Sequence, residues 1–204
     1  FADYPICLNI GGIANVSYEM NGKRIAYDIC MANQLLNYLA NKLGYDYDKN
    51  GQFAKRGNIN KVLFEMLNDN EYYKHDAPKS LGREFFENVQ HKVIDESSLP
   101  VYDLLATATE HIAYQIAKSV DVLDKSKMLV TGGGAKNDFL IERICALSKH
   151  EIIVPDVMIT DYKEALIFAF LGVLKMEGKI NVLSSVTGAS SDSSSGKIYQ
   201  IENQ

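Results

Sequence analysis

The stretch Leu8-Asn9-Ile10-Gly11-Gly12-Ile13-Ala14-Asn15-Val16 decides the fold, because an apolar strand runs into two glycines and a second strand follows at once. The pattern of side chains predicts strands at 5–10, 14–20 and 23–28. Asn21-Gly22 joins the last two, and an Asn-Gly pair is the strongest short hairpin signal that a sequence offers. We therefore expect an antiparallel meander at the start of the chain.

A second glycine turn follows a later strand, predicted at 127–131. It is Gly132-Gly133-Gly134, and a helix is expected from about Asn137 to Lys149. Backbone without Cβ can approach a phosphate closely and direct N–H groups at it. A plain strand-to-helix turn rarely needs three glycines, so we favour a nucleotide site here at roughly three to one. At Gly11-Gly12 a tight hairpin turn and a phosphate contact are compatible interpretations.

The rest of the pattern alternates helices with strands. Helices are predicted from Asn33 to Gly44, over 102–122 and over 161–176, with a strand at 151–154. Four residues of the last helix are expected to face inward: Ala165, Phe168, Ala169 and Leu171. This order predicts an α/β fold, a ribonuclease-H-like lobe with a mixed sheet and helices on both faces. Such a lobe resembles the repeated unit of the sugar kinase, Hsp70 and actin (actin-like ATPase) superfamily, in which the nucleotide lies between two lobes.

Residues 46–100 differ in character, being rich in Asn, Asp, Lys and Tyr. Helices are predicted there at 59–67 and 83–94. We expect an inserted helical and loop subdomain here, so that residues 1–45 and 101–204 form the nucleotide-binding lobe; only a family resemblance implies that the insertion lies on a sugar side. The tail from Ser184 to Gly196 is predicted to be a loop, with a short final strand at 197–201.

Composition excludes several classes of protein. The 204 residues are 47% hydrophobic and 23% charged, with a net charge of −5 and dispersed basic residues, so no nucleic-acid partner is expected. Three cysteines without a CxxC pair fit buried thiols, and four histidines without ligand spacing predict no metal site built from side chains.

No apolar run reaches membrane-spanning length and no signal peptide opens the chain, which favours a cytoplasmic protein with no membrane partner. The start at Phe1, without an initiator methionine, suggests a fragment or the second half of a larger protein.

Asp28 closes the strand Arg24-Ile25-Ala26-Tyr27 and lies between the two glycine turns in the sequence. Its carboxylate is the candidate general base. A strand-end aspartate can equally cap the following helix, and for one residue alone we set that interpretation ahead by roughly two to one. The surrounding motifs reverse those odds.

Six motifs, in one order and over nearly all of the chain, resemble the C-terminal half of the 1,6-anhydro-N-acetylmuramic acid kinases. The first, Asn9-Ile10-Gly11-Gly12-Ile13-Ala14-Asn15, is similar to a phosphate-binding hairpin of that family. The second, Tyr27-Asp28-Ile29-Cys30-Met31-Ala32-Asn33, stands in the place of a Phe-Asp-Thr-Gly-Pro-x-Asn segment. The others are Pro78-Lys79-Ser80-Leu81-Gly82-Arg83-Glu84, Gly132-Gly133-Gly134-Ala135-Lys136-Asn137, Glu164-Ala165-Leu166-Ile167-Phe168-Ala169 and Ser185-Val186-Thr187-Gly188-Ala189.

The resemblance implies an ATP-dependent kinase that opens the anhydro bridge of 1,6-anhydro-N-acetylmuramic acid with water. The product would be N-acetylmuramic acid 6-phosphate, in cell-wall sugar recycling. Asp28 would be the catalytic base, with ATP and Mg²⁺ as cofactors and with water and phosphates filling most of the metal shell. The implied nucleotide contacts are Gly11, Gly12, Gly132, Gly133, Gly134 and Asn137. The implied sugar contacts are Asn33, Ser80, Arg83 and Glu164.

Plainer interpretations stay open for the sugar-side residues. Ser80 could cap a helix, Arg83 could be a surface charge, and Glu164 could suit the positive end of its helix.

Two departures from the family pattern leave alternatives. Ile29-Cys30-Met31 replaces Thr-Gly-Pro, and the Gly-Thr-Ser-x-Asp-Gly phosphate loop of the relatives' N-terminal lobe is absent from the sequence. We therefore expect this half to be inactive by itself and the missing N-terminal lobe to be its partner; a homodimer is also plausible. The alternatives are a non-catalytic or degenerate nucleotide- or sugar-binding module, and a kinase for another hexosamine.

Overall fold

The computed structural model describes residues 3–199, which form a five-stranded mixed sheet with helices. The strands are β1 (Ile6–Ile10), β2 (Ile13–Met20), β3 (Lys23–Met31), β4 (Lys127–Thr131) and β5 (Glu151–Ile153), in the order β3-β2-β1-β4-β5. β1, β2 and β3 pair antiparallel, whereas β1, β4 and β5 pair parallel. The predicted meander and the later β-α-β unit are both confirmed.

The predicted helices are present in the predicted order, and one short helix, Ser184–Thr187, lies in the tail that was predicted to be a loop. They are α1 (Asn33–Asn41), α2 (Lys61–Asn68), α3 (Arg83–Phe85), α4 (His91–Asp95), α5 (Val101–Val120), α6 (Asp138–Leu147), α7 (Val157–Met176) and α8 (Ser184–Thr187). A π-helical segment, Phe86–Gln90, joins α3 to α4, so the single helix predicted at 83–94 is one continuous run with a wider turn in its middle.

The core lies on one face of the sheet. Ile6, Leu8 and Ile10 alternate toward it along β1 and are buried. Helices α1, α5 and α6 pack together on this face, with Ile112 and Ile116 of α5 fully buried. Alternation along β1 leaves Cys7 and Asn9 on the opposite face, half-buried.

The inserted region shares this core. Leu63, Leu67, Phe86 and Ile94 are buried in the same cluster as the sheet residues. A buried polar network also joins the region to α5, because the ring of His111 contacts the side chain of Asn68 at 2.8 Å. Within residues 3–199 the insertion therefore does not bury its apolar side chains separately.

The prediction for α7 is wrong in its burial. The helix begins at Val157, where the side chain of Asp156 accepts from the N–H of Ile159 at 3.0 Å. None of its residues is buried; Leu171 is half-buried, whereas Ala165, Phe168 and Ala169 are exposed. The apolar pattern identified the helix correctly, but it did not predict that these three side chains are exposed.

The three cysteines differ in burial. Cys30 is buried and Cys7 half-buried, but Cys145 is exposed, contrary to expectation.

The final strand predicted at 197–201 is not observed where the structure describes it. Residues 197–199 are not in a strand, and the rest of the predicted strand lies outside the described residues. In the described part of the chain, no helix has both the length and the apolar character needed to cross a bilayer.

Candidate active site

Asp28 is the last residue of β3 before a β-bulge. The register shifts between Ala14 and Asn15, so that Ala14 is opposite Cys30 and Asn15 is opposite Asp28. The hydroxyl of Tyr27 donates to the carbonyl of Ser119 on α5 at 3.0 Å, which places Tyr27 on the core face. Asp28 follows it in the strand and faces away from the core, half-buried. The strand continues to Met31 rather than ending at the aspartate.

Four polar residues lie side by side on that open face of the sheet. Asn15 is opposite Asp28, Asn9 is opposite Asn15, and Thr131 is opposite Asn9. Cross-strand partners point to the same side of a sheet, so these residues form a polar row over β3, β2, β1 and β4.

Lys163 of α7 contacts one end of the polar row. Its ammonium donates to Oδ1 of Asn9 at 2.9 Å and to the hydroxyl of Thr131. Burial lowers the pKa of Lys163, and the nearby Glu164 partly opposes this effect. A half-buried cation thus lies beside polar groups at the sheet, in a recess of about 490 Å³ that Arg24 also lines.

The two glycine turns lie next to each other, because β1 and β4 are parallel neighbours and their carboxyl ends meet at one edge. Gly132 has φ +85°, and a Cβ there would lie 2.7 Å from the carbonyl oxygen of Ile10. Gly134 packs against the side chain of the same isoleucine. Only glycine permits this approach, so the second turn rests directly on the end of β1.

Asn33 lies between the two turns. Its side-chain amide donates to the carbonyl of Ile10 at 3.3 Å, and its backbone N–H donates to the carbonyl of Gly11 at 3.1 Å. A Cβ on Gly133 would lie 3.5 Å from the same amide. The N–H of Ala32 is bonded to the carbonyl of Gly12 at 2.8 Å, which attaches the first turn to the start of α1.

A cleft of about 420 Å³ opens beside these turns. Its walls include Asn33, Gly133, Asn137 and Tyr47. Asn137 is buried and caps α6, since its Oδ1 accepts from the N–H of Leu140 at 3.0 Å. The cleft is within the size range of small-molecule sites, and it places three implied site residues around one space.

The inserted region holds Asp28 from its other side. The N–H of Leu81 donates to Oδ2 of Asp28 at 2.9 Å, and the N–H of Asp28 donates to the carbonyl of Lys79 at 3.3 Å. The hydroxyl of Tyr72 donates to the backbone carbonyl of Asp28 at 2.5 Å.

Asp28 does not cap the helix that follows it. Helix α1 has Ala32 at its N-cap, without a side-chain hydrogen bond, so the capping interpretation of Asp28 is wrong.

The implied sugar-side residues lie in different places. Ser80 is exposed between Lys79 and Leu81, next to Asp28, and Gly82 rather than Ser80 precedes α3. Arg83 is exposed and pairs with Glu87 at 2.7 Å. Glu164 is exposed on α7, well after the first turn, so the helix-end explanation of this residue is wrong. The structure thus brings Ser80 close to Asp28, whereas Arg83 and Glu164 are exposed on helices α3 and α7.

The tail motif also returns to this region. Helix α8 contacts β3, and a Cβ on Gly188 would lie 3.2 Å from the ring of Pro78. The stretch 185–189 therefore lies beside the segment that holds Asp28.

Sequence reasoning did not select Lys163 or Thr131. The signal for Lys163 was a cation in the first half of a mainly apolar helix, one residue before the Glu-Ala-Leu motif. Thr131 is the last residue before the glycine turn, where a hydroxyl among apolar strand residues could have been noticed.

Solved structures share the fold at low sequence identity. An activator of 2-hydroxyisocaproyl-CoA dehydratase from Clostridium difficile, with bound ADPNP, superposes with a TM-score of 0.55 and 18% identity, over 90% of this chain and 66% of its own. Component A of (R)-2-hydroxyglutaryl-CoA dehydratase from Acidaminococcus fermentans gives 0.52 and 16%, over 81% and 60%. The predicted actin-like ATPase fold is thereby confirmed.

Relatives of known family are more similar in sequence. The anhydro-N-acetylmuramic acid kinase from Vibrio cholerae is 35% identical over 95% of this chain and 55% of its own, and that from Actinobacillus pleuropneumoniae serotype 3 is 34% identical over the same shares. The chain thus spans about half the length of these relatives. The family model for anhydro-N-acetylmuramic acid kinase matches residues 2–201. The chain therefore belongs to the anhydro-N-acetylmuramic acid kinase family.

Proposed function

We propose that this chain is the C-terminal lobe of a kinase that phosphorylates 1,6-anhydro-N-acetylmuramic acid with ATP and opens its anhydro bridge with water. The observation that carries the proposal is the position of Asp28. Its carboxylate lies in a polar row that Lys163 contacts, and Asn9 of that row lies two residues before Gly11 of the first glycine turn. The family supports the same chemistry.

The hydrogen bonds of Asp28 are consistent with a role as general base. Oδ2 is fixed by the N–H of Leu81 and the backbone carbonyl by Tyr72, so the side chain has a set direction. Among the described residues, Oδ1 of Asp28 accepts no hydrogen bond from the protein. In the proposed reaction this oxygen takes a proton from water as the water adds to C1 and the C1–O6 bond breaks; O6 then becomes the phosphoryl acceptor.

The nucleotide would lie across the two glycine turns, with its adenosine in the cleft beside Gly133 and Asn137. ATP supplies the γ-phosphoryl group when it is bound. The cleft of about 420 Å³ fits a small-molecule ligand, whereas the glycine at 132 is already required by its close packing on Ile10. Gly11, Gly12 and Gly134 complete the proposed contacts, and Lys163 supplies positive charge near the phosphates.

Mg²⁺ would be held mainly by phosphates and water. Within residues 3–199, no group of three or more His, Cys, Asp or Glu side chains is placed to hold a metal ion. The side chain of Asn15 lies near the first turn and could contact water bound to the metal, whereas Oδ1 of Asn9 already accepts from the ammonium of Lys163.

The sugar would lie on the open face near Asp28. Ser80, on the segment that pairs with Asp28, is the best placed of the proposed sugar contacts; Asn33, Arg83 and Glu164 complete the set. The N-terminal lobe of the family would close over the same face. Because ATP is the donor, we place the reaction in the cytoplasm, as part of cell-wall sugar recycling.

The test is an assay of ATP-dependent phosphorylation with the full-length product of the reading frame that contains this chain. Asp28→Asn keeps the size of the side chain, so ATP affinity should change by less than about twofold while turnover falls at least about 100-fold. Asp124→Asn, at an exposed position away from the polar row, is the matched control and should be active. Unchanged turnover in Asp28→Asn would remove Asp28 from the mechanism. Competing hexosamines in the same assay decide whether another sugar is the substrate.

The main alternative is a degenerate binding module. The Ile29-Cys30-Met31 replacement favours it when only the sequence is considered. All three side chains are buried in the core, with exposed fractions of 3%, 0% and 0%. The replacement therefore changes the packing behind Asp28 rather than the open face, which supports the catalytic proposal over the degenerate one. ATP binding without turnover on any amino sugar would decide for the alternative.

A further inference from the structure

The segment 72–81 of the inserted region lies along the edge of the sheet at Asp28. β3 is an edge strand, and the backbone groups on the outer side of such a strand need partners from elsewhere. The N–H of Asp28 donates to the carbonyl of Lys79, and the N–H of Leu81 donates to Oδ2 of Asp28. The direction of the carboxylate therefore depends on where this segment lies.

The side chain of Lys79 closes this segment on itself. Its ammonium donates to the carbonyl of Tyr72 at 3.1 Å and to the carbonyl of His75 at 2.8 Å. Both of these partners are neutral, so the cation forms no ion pair through them. Burial lowers the pKa of Lys79, and the nearby charge of Asp76 partly opposes this effect. Partial desolvation of an ammonium is unfavourable, so the surrounding contacts must offset it.

Two tyrosine rings also contact the ammonium of Lys79. It lies 4.8 Å from the centre of the Tyr72 ring and 5.4 Å from the centre of the Tyr27 ring. A cation this close to an aromatic ring is attracted by the ring quadrupole. Tyr27 directly precedes Asp28 in β3, and the hydroxyl of Tyr72 donates to the backbone carbonyl of Asp28 at 2.5 Å. Lys79 therefore bridges the strand residue before Asp28 and the side chain that holds the carbonyl of Asp28.

The side chain of Lys79 lies on the opposite side of β3 from the carboxylate of Asp28. Lys79 lines a recess of about 470 Å³ on the core side of the strand, together with Tyr27, Ile29 and Ser119. The side chain of Asp28 faces away from the core. The ammonium of Lys79 therefore acts on this carboxylate through the backbone and the two rings, and does not touch it.

We propose that Lys79 is a positioning residue, which keeps segment 72–81 against the edge of β3 and thereby directs the carboxylate of Asp28 toward the reacting water. The proposal rests on the proposed function, in which Asp28 is the general base. A displacement of about 1 Å between reacting groups can lower a rate by about 100-fold, although the substrate still binds. Loss of the Lys79 ammonium should therefore lower turnover much more than affinity.

The first experiment measures amide hydrogen exchange at Leu81 in the full-length product of the reading frame. The N–H of Leu81 donates to the carboxylate of Asp28, so its exchange rate reports whether the segment stays in place. Lys79→Met keeps the length of the side chain and removes the charge, and we expect this N–H to exchange at least about tenfold faster than in wild type. Lys79→Arg keeps the charge and the ring contacts and should stay within about threefold of wild type.

The second experiment measures turnover in the same variants, at a temperature where circular dichroism shows all of them folded. Lys79→Met should lower kcat about 10- to 100-fold and change KM for ATP by less than about twofold, whereas a general loss of folded protein would leave the kcat of the remaining active molecules unchanged. Tyr72→Phe removes only the hydroxyl that is bonded to the carbonyl of Asp28 and should lower kcat as well. Should Lys79→Met not fold, the exchange of Leu81 and the kcat of Tyr72→Phe decide the test.

Lys74→Met is the matched control for Lys79→Met. Lys74 lies in the same region, is exposed and pairs with Glu71 at the surface at 2.6 Å. An exposed pair of this kind contributes little, so kcat and the exchange of Leu81 should both stay as in wild type.

Three results would overturn the proposal. One is an N–H of Leu81 that exchanges as slowly in Lys79→Met as in wild type, since the segment would then not depend on the ammonium. Another is faster exchange of Leu81 with unchanged kcat, since Asp28 would then not need the segment. The third is an equal fall of kcat in Lys74→Met. The exchange measurement does not depend on turnover, so a wild-type protein that phosphorylates no amino sugar would reject the proposed function, while faster exchange in Lys79→Met would still show that Lys79 holds the segment against Asp28.

Discussion

At the scale of single residues, His111 is a buried base in a neutral setting. Its Nδ1 lies 2.8 Å from Oδ1 of Asn68, and its Nε2 faces the hydroxyl of Tyr73 and the amide of Gln90 at 3.3 and 3.4 Å. Gln115 of the same helix also donates to Asn68, at 2.7 Å. None of these partners is charged, so burial lowers the pKa of His111 to about 3.

The pH dependence of stability follows from that shift. An unfolded histidine has a pKa of about 6.5, so below that pH this side chain is protonated in the unfolded chain but stays neutral in the folded chain. The contribution of neutral, buried His111 to the free energy of unfolding is complete above pH 6.5 and is lost as the pH falls toward 3. For this group alone, the free energy of unfolding should be about 2 kcal/mol lower at pH 5 than at pH 7. Urea titrations of wild type and His111→Gln should show that the variant lacks this part of the pH dependence. His75→Gln, at an exposed position, should behave like wild type. Equal pH dependence in all three proteins would contradict the neutral buried state.

At the scale of elements, the two glycine turns have different requirements. Gly132 needs a positive φ and a close approach to Ile10, whereas a Cβ on Gly12 would lie 3.9 Å from the nearest atom, on Gln34. Gly132→Ala should therefore lower the free energy of unfolding by about 2 kcal/mol, and Gly12→Ala by less than about 0.5 kcal/mol. Thermal or urea unfolding of the two variants measures the difference. Similar stabilities would mean that the second turn does not rest on β1 as the structure shows.

At the scale of the whole molecule, the insertion and the sheet should unfold together, because they share one core. Leu67 of α2 is 3% exposed, so Leu67→Ala should cost about 2–4 kcal/mol. If the core is shared, amide protection should fall equally in α2 and in β1. Met66→Ala, at the half-exposed neighbouring position, is the control and should change both little. Loss of protection confined to the insertion would show that residues 46–100 are an independent unit.

The sequence by itself determined the order and type of the main elements, because local patterns are sufficient for them. Alternation along β1, the Asn21-Gly22 turn and the apolar spacing of α5 each act within a few residues. The family could be identified from the sequence for a similar reason, since its motifs are short runs that can be matched in order.

Only the tertiary structure decided how these elements meet. The bulge after Asp28 is a property of two paired strands, and it places Cys30 rather than Ile29 opposite Ala14. The contact of Lys163 with Asn9 joins residues that are far apart in the chain. The exposure of α7 could not be predicted either, because an apolar helix has the same sequence pattern whether its partner lies in the same lobe or in another one. Burial depends on which surfaces are brought together, and spacing along one segment does not specify that.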